Sequence, residues 1–141
     1  MKRGILALSV GVVVSAALGG IATHAHHAIS GVYDSSRPAT IHGVVTQFRF
    51  VNPHPFVMMT VQSAAGAAQS WTLEMDNRSE LADIGVTNDT LKPGDRIVVT
   101  GSLGRSQTQS LYIRKLERPA DGFTYEQVGT RPRITPGRRG G

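Results

Sequence analysis

Residues 39–50 read ATIHGVVTQFRF, and the alternation within this stretch decides the fold. Ile41, Gly43 and Val45 share one phase, whereas Phe48 and Phe50 share the other. Side chains alternate with period two along a strand, so an unbroken strand cannot change phase. A bulge near Thr46-Gln47 reconciles the two phases and bends the strand. A long, bent first strand is what a small barrel needs to close.

The pattern continues on the C-terminal side. Asn52-Pro53-His54-Pro55 interrupts the sheet, because two prolines withhold ladder N–H groups and restrict the residue between them. A second strand is predicted from Phe56 to Gln62, with Val57, Met59 and Val61 in one phase. After a hairpin loop over 63–68, a third runs from Ser70 to Met75, with Trp71, Leu73 and Met75 inward and Thr72 and Glu74 outward. Asn77 with Glu80 three residues on is a capping-box arrangement, Leu81 and Ile84 share a helix face, and Gly85 is placed to end that helix. Leu91-Lys92-Pro93-Gly94-Asp95 is a tight turn. Strands four and five follow at Arg96–Ser102 and about Ser110–Leu116, with a polar linker over 104–108.

Three strands, a short helix and two strands predict a mainly β protein, a five-stranded OB-fold-like barrel with one short helix between strands three and four. Another small open β-barrel or a sandwich of the same strand count is the alternative. Residues 119–141 are rich in Pro, Gly and Arg and read as a mostly disordered basic tail, in which Phe123 and Tyr125 are the residues able to dock.

On the N-terminal side, residues 26–38 are polar and irregular. Before them, Lys2 and Arg3 precede an uncharged apolar run from Gly4 to Ile21 and a small-residue exit. This is the layout of a secretory signal peptide. Thr23-His24-Ala25 puts small residues where a signal peptidase needs them and predicts cleavage after Ala25, with Gly20-Ile21-Ala22 as a second site. The expected organisation is a signal peptide over 1–25, a domain over 26–118 and the tail over 119–141. A short basic n-region without transit-peptide features predicts a bacterial periplasmic location, with membrane attachment only through an uncleaved signal.

The chain has no cysteine, which excludes disulfides, thiolate metal sites and a cysteine nucleophile. Its net charge of +5 comes from the ends: residues 26–116 carry eight basic and seven acidic side chains. A near-neutral domain offers no nucleic-acid face. No GxSxG elbow, P-loop, Rossmann glycine pattern or paired carboxylates suggest an enzyme. A metal-dependent oxidase or hydrolase would need an open coordination position beside a cleft.

What remains is histidine. All five lie within the first 54 residues, and cleavage after Ala25 would start the mature chain at His26-His27. An N-terminal histidine presents a free amine and an imidazole on one residue. Copper(II) and its neighbours favour such nitrogens, and both groups release their protons near neutral pH. The candidate metal ligands are therefore His26, His27, His54 and His42, with copper or another divalent transition metal as the cofactor. Three nitrogens from two histidines form a T-shaped brace suited to copper(II). His54, held between prolines, is the foremost second contributor. Asp34 and Glu74 are possible carboxylate ligands, and Met58 or Met59 could serve copper(I). Against this stand plainer readings: a flexible polar end for His26-His27, a simple turn for His54, a half-exposed strand residue for His42.

The run His26-His27-Ala28-Ile29-Ser30, then Tyr33-Asp34, Gly43-Val44-Val45, Asn52-Pro53-His54, Trp71-Thr72-Leu73-Glu74 and Leu91-Lys92-Pro93-Gly94-Asp95, resembles a family of small exported bacterial proteins of unknown function. The resemblance covers roughly 26–116 and lies in the order and spacing of the motifs. The chain departs from the family in having Ala28-Ile29 where Ser-Phe is usual, and Pro55 directly after His54. The resemblance implies the domain and its export, not a reaction, and it points to His26, His27 and His54. The expected function is an exported periplasmic protein binding a transition metal, with a periplasmic protein partner possible. The rival is a non-catalytic ligand- or protein-binding module using Phe48, Phe50, Phe56 and Tyr112.

Overall fold

The computed structural model describes residues 29–138. The signal segment, His26 and His27 lie outside the described residues. A helical turn over 29–32 leads into seven strands: β1 (Tyr33–Arg49), β2 (Phe56–Gln62), β3 (Ala68–Glu74), β4 (Arg96–Gly104), β5 (Ser110–Arg118), β6 (Phe123–Val128) and β7 (Arg131–Thr135). One short helix, α1 (Arg78–Asp83), lies between β3 and β4. Among the described residues no helix is long and apolar enough to cross a membrane.

The first strand bends where its alternation breaks. Val45 pairs with Met59, but the next pair is Gln47 with Met58, so Thr46 is the extra residue of a bulge. This turns Val45 into the core and lets Phe48 and Phe50 pack against it from the next phase. The strand also begins earlier than its composition suggests. Tyr33 and Asp34 pair with Gly104 and Leu103, and the register resumes at Pro38. Asp34 accepts from the Ser36 amide at 3.1 Å and from its hydroxyl at 2.7 Å, so the polar Ser-Ser-Arg segment forms a second irregularity rather than a free loop.

Long β1 pairs antiparallel with β2 on one side and β4 on the other. β2 pairs with β3, β4 with β5, and β3 then meets β5 in parallel through Thr72–Glu74 and Ser110–Tyr112. The pairings close a ring in the order β1-β2-β3-β5-β4. Val45, Val57, Met59, Leu73, Ile97, Val99, Leu111, Ile113 and Leu116 fill its interior. Leu81 of α1 joins them, fully buried. The helix starts as its sequence predicts, with Asn77 Oδ1 accepting from the amides of Ser79 at 2.8 Å and Glu80 at 3.4 Å. The Asn77 amide donates to Asp76 Oδ1 rather than to Glu80. Gly85, at φ +97°, supplies the left-handed residue just past the end.

The mainly β class holds, and the strand count is corrected from five to seven. Residues 123–135 form a hairpin where a disordered tail was expected. Only the first half of the β5 edge is taken by β3; β6 pairs with the rest, through Lys115–Arg118. Phe123 and Tyr125 alternate inward and join the core, Tyr125 with no exposed surface. Gly129, at φ +62°, opens a two-residue loop whose backbone twist suits a hairpin. Pro132 lies on β7, the last strand in the sheet order, where its missing N–H interrupts no inner ladder. The low apolar content of the segment concealed a strand that needs only two aromatics to bury one face.

Arg118 closes β5 as a buried charge. It is 4% exposed, donates to Asp95 and bidentately to Asp121, and sits 4.9 Å from the Phe123 ring centre. A charge is tolerated at that depth only when paired and hydrogen-bonded.

Candidate functional site

His54 is placed by its neighbours rather than by a regular element. The Pro55 carbonyl accepts from the Met75 amide and the Pro53 carbonyl from the Arg78 amide, both at 2.9 Å. Arg78 also donates from Nε to the Phe50 carbonyl at 3.2 Å, and its guanidinium lies 4.6 Å from the Phe50 ring centre. The loop is thereby fastened to the end of β3 and the start of α1. Phe56, two residues on, pairs with Glu74 across β2 and β3. That register brings the Glu74 carboxylate to the imidazole.

The result is a hydrogen-bonded chain of three side chains. His54 Nδ1 meets Glu74 Oε1 at 2.6 Å, and the Tyr33 hydroxyl donates to Glu74 Oε2 at 2.7 Å. The His54 side chain is 12% exposed and that of Glu74 16%. With Nδ1–H donated to a carboxylate, the neutral imidazole keeps its lone pair on Nε2, the arrangement by which carboxylates orient metal-binding histidines. The Glu74 hydrogen bond holds the His54 pKa above its ordinary value; burial opposes it, and the charges of Glu74, Asp76 and Glu80 add to it. Burial, reinforced by Glu74, pushes the Tyr33 hydroxyl well up, so it stays a neutral donor.

A folded-state pKa above the unfolded one means that this contact stabilises the fold fully below the unfolded value. The contribution fades as pH rises through the folded value. In metal-free protein, Glu74→Gln is therefore expected to lower the His54 pKa, read from its ring protons by NMR. An unchanged titration would show that the carboxylate does not hold the ring in solution.

The other expected ligands fall elsewhere. His42 is exposed on β1 opposite Val98, and it lines a separate cavity of about 890 Å³ with Thr60, Arg96 and Pro119. Neither His54 nor Glu74 borders that cavity. His42 lies in the middle of β1, nine positions after Tyr33 and seven before Arg49, whereas Tyr33 opens the strand and the loop carrying His54 follows its other end. Asp34 is engaged by Ser36 and, at 3.3 Å, by Arg105, and the Ser36 hydrogen bonds hold its pKa below the ordinary value. Met59 is buried in the core. Among the described residues no three His, Asp or Glu side chains converge to hold a metal. Tyr112, expected as an exposed contact, is buried and stacks 5.6 Å from Tyr33, while Phe48 and Phe50 are partly buried and 5.9 Å apart.

Tyr33 was the residue that spacing could not identify. It stood in the sequence only as part of the Tyr33-Asp34 motif of the resemblance, six residues after His27, and acquires a role once its hydroxyl is seen to donate to Glu74.

The model of a Family of unknown function (DUF6152) matches residues 12–112, which includes Tyr33, His54 and Glu74. The chain belongs to the DUF6152 family. No curated protein matches this DUF6152 member. Among solved structures, it is similar to the crystal structure of a complex of TiaS with tRNA and ATP at 16% identity and a TM-score of 0.41, covering 68% of this chain and 22% of that one. It is similar also to the complex of TiaS with tRNA, AMPCPP and agmatine at 14% identity and a TM-score of 0.42, covering 74% of this chain and 28% of that one. The chain thus spans less than a third of the length of these structures.

Proposed function

We propose that the chain is an exported, periplasmic metal-binding protein, built on an OB-type ring, that takes copper(II) through His54 and the amine and imidazoles of a mature His26-His27 terminus. The OB-type reading is supported by the β1-β2-β3-β5-β4 ring order, the parallel β3–β5 contact and the helix between β3 and β4. Export is supported by the basic, apolar and small-residue succession of residues 1–25.

The observation that carries the metal reading is the shared carboxylate. Glu74 holds His54 by Nδ1, leaving Nε2 for a ligand, and its other oxygen holds Tyr33, only six residues after His27. Because residues 29–32 form a helical turn rising about 1.5 Å per residue, His27 stays within roughly 15 Å of Tyr33 along the chain, which keeps the terminus on the side of the sheet where Tyr33 meets Glu74. Asp76 and Glu80 add negative potential that favours a cation there. The protein then acts in metal handling or as an accessory to another periplasmic protein. The test is copper(II) titration of protein processed after Ala25, beside a variant with one extra residue before His26. Weaker binding by the extended form is expected; equal affinity removes the amine from the ligand set.

A further inference from the structure

A second cavity is bordered by Tyr33 but not by His54. It has a volume of about 280 Å³, and its wall includes Tyr33, Ser102, Tyr112, Arg114, Gln127 and Thr130. Arg114 donates from Nη1 to Gln127 Oε1 at 2.7 Å, and its guanidinium carbon lies 5.0 Å from the Tyr112 ring centre. Gln127 is fixed in turn, donating to Asp76 Oδ2 at 2.6 Å and to the Tyr112 hydroxyl at 3.3 Å. The guanidinium is therefore held at one nitrogen and by one face, and its other N–H groups meet no acceptor among the described residues. Arg114 itself is exposed on β5, so this fork opens to solvent at the cavity.

Ser102, 5% exposed, lines the same cavity. Its hydroxyl is not among the buried polar atoms that lack a partner, which among the described residues are Trp71 Nε1 and the Tyr125 hydroxyl, so it adds a polar group to a wall that meets solvent.

We propose that this cavity binds a small organic monocarboxylate, its carboxylate paired with the Arg114 fork. A planar guanidinium matches a carboxylate bidentately. One cation, with the Asp76 carboxylate bound to the same Gln127 side chain, favours a singly charged anion over phosphate, which carries about one and a half charges or more at neutral pH. Burial keeps the Tyr33 and Tyr112 hydroxyls protonated, so the wall itself adds no anion. Both sites touch Tyr33, but this one requires no metal.

The experiment is a titration of the full-length chain with propionate and, separately, inorganic phosphate, without added metal, followed by two-dimensional ¹H–¹⁵N NMR. Saturable shifts are expected at Ser102, the Arg114 Nε–H and the Gln127 side-chain amide. Arg114→Lys keeps the charge but loses the fork, and is expected to weaken propionate about tenfold or more. His42→Ala, in the other cavity, leaves it unchanged. Absence of saturable shifts overturns the proposal. So does undiminished binding by folded Arg114→Lys, or tighter binding of phosphate than of propionate.

Discussion

Tyr125→Ala is expected to lower the melting temperature by about 15 °C or more, measured by circular dichroism. Tyr125 has no exposed surface and lies in the same core cluster as Leu116 and Phe123. Removing a buried aromatic ring costs about 3–5 kcal/mol through lost burial and the cavity left behind, against a total stability of about 5–15 kcal/mol for a domain. For a domain of this size each kilocalorie shifts the melting point by several degrees. Truncation after Arg118 goes further. It removes Phe123 as well, and strips Asp121 from a guanidinium that is 4% exposed. Arg118 keeps Asp95 but loses its bidentate partner, and with both core aromatics also gone the shortened chain is expected not to fold. Tyr125→Phe keeps the ring and retains most of the stability. A truncated chain melting within a few degrees of the intact one would mean that the β6–β7 hairpin is an appendage and the five-strand ring stands alone.

His54→Ala is the second large effect, and it acts on copper rather than on the fold. It removes the imidazole whose Nδ1 meets Glu74 at 2.6 Å, and with it the only described ligand of the proposed site. Glu74→Gln leaves the imidazole but weakens the partner that sets its tautomer, a change that typically lowers metal affinity about 10–100-fold. Losing the ligand itself is expected to exceed that. Tyr33→Phe removes the hydroxyl that binds Glu74 at 2.7 Å and is expected to give the smallest loss of the three. The ranking, His54→Ala over Glu74→Gln over Tyr33→Phe, is read by isothermal titration calorimetry. Equal copper affinity in all three would place the metal elsewhere.

Much of the fold was legible because local rules and tertiary structure agree. The phase change between Val45 and Phe48 required a bulge, and the register slips there. Asn77 and Gly85 bound the short helix as their side-chain and backbone chemistry dictates. Two regions resisted for one reason: composition disguised pairing. Ser35-Ser36-Arg37-Pro38 looks like a loop, yet the Asp34–Ser36 hydrogen bonds fold it into an irregularity within β1. The Pro, Gly and Arg of the last segment look disordered, yet β5 has an edge beyond the reach of β3.

The site was legible in part. Prolines around His54 marked a held histidine. Glu74 was read as an outward-facing residue and a possible carboxylate ligand; that it instead holds the imidazole follows from the β2–β3 register, which sets it opposite Phe56. His42 misled because sequence proximity does not say that a residue in the middle of a 17-residue strand borders a different cavity from the residues at the site. Arg114 and Gln127 join only through the β5–β6 hairpin, thirteen residues apart, and nothing in their spacing announced it.

The ligand set itself is open to direct observation by pulsed EPR of copper(II) bound to the mature protein, wild type beside His54→Ala. Modulation from an additional imidazole in the wild-type spectrum, absent from the variant, is the predicted result. Superimposable spectra would contradict the account, because the metal would then be held by the terminal segment alone.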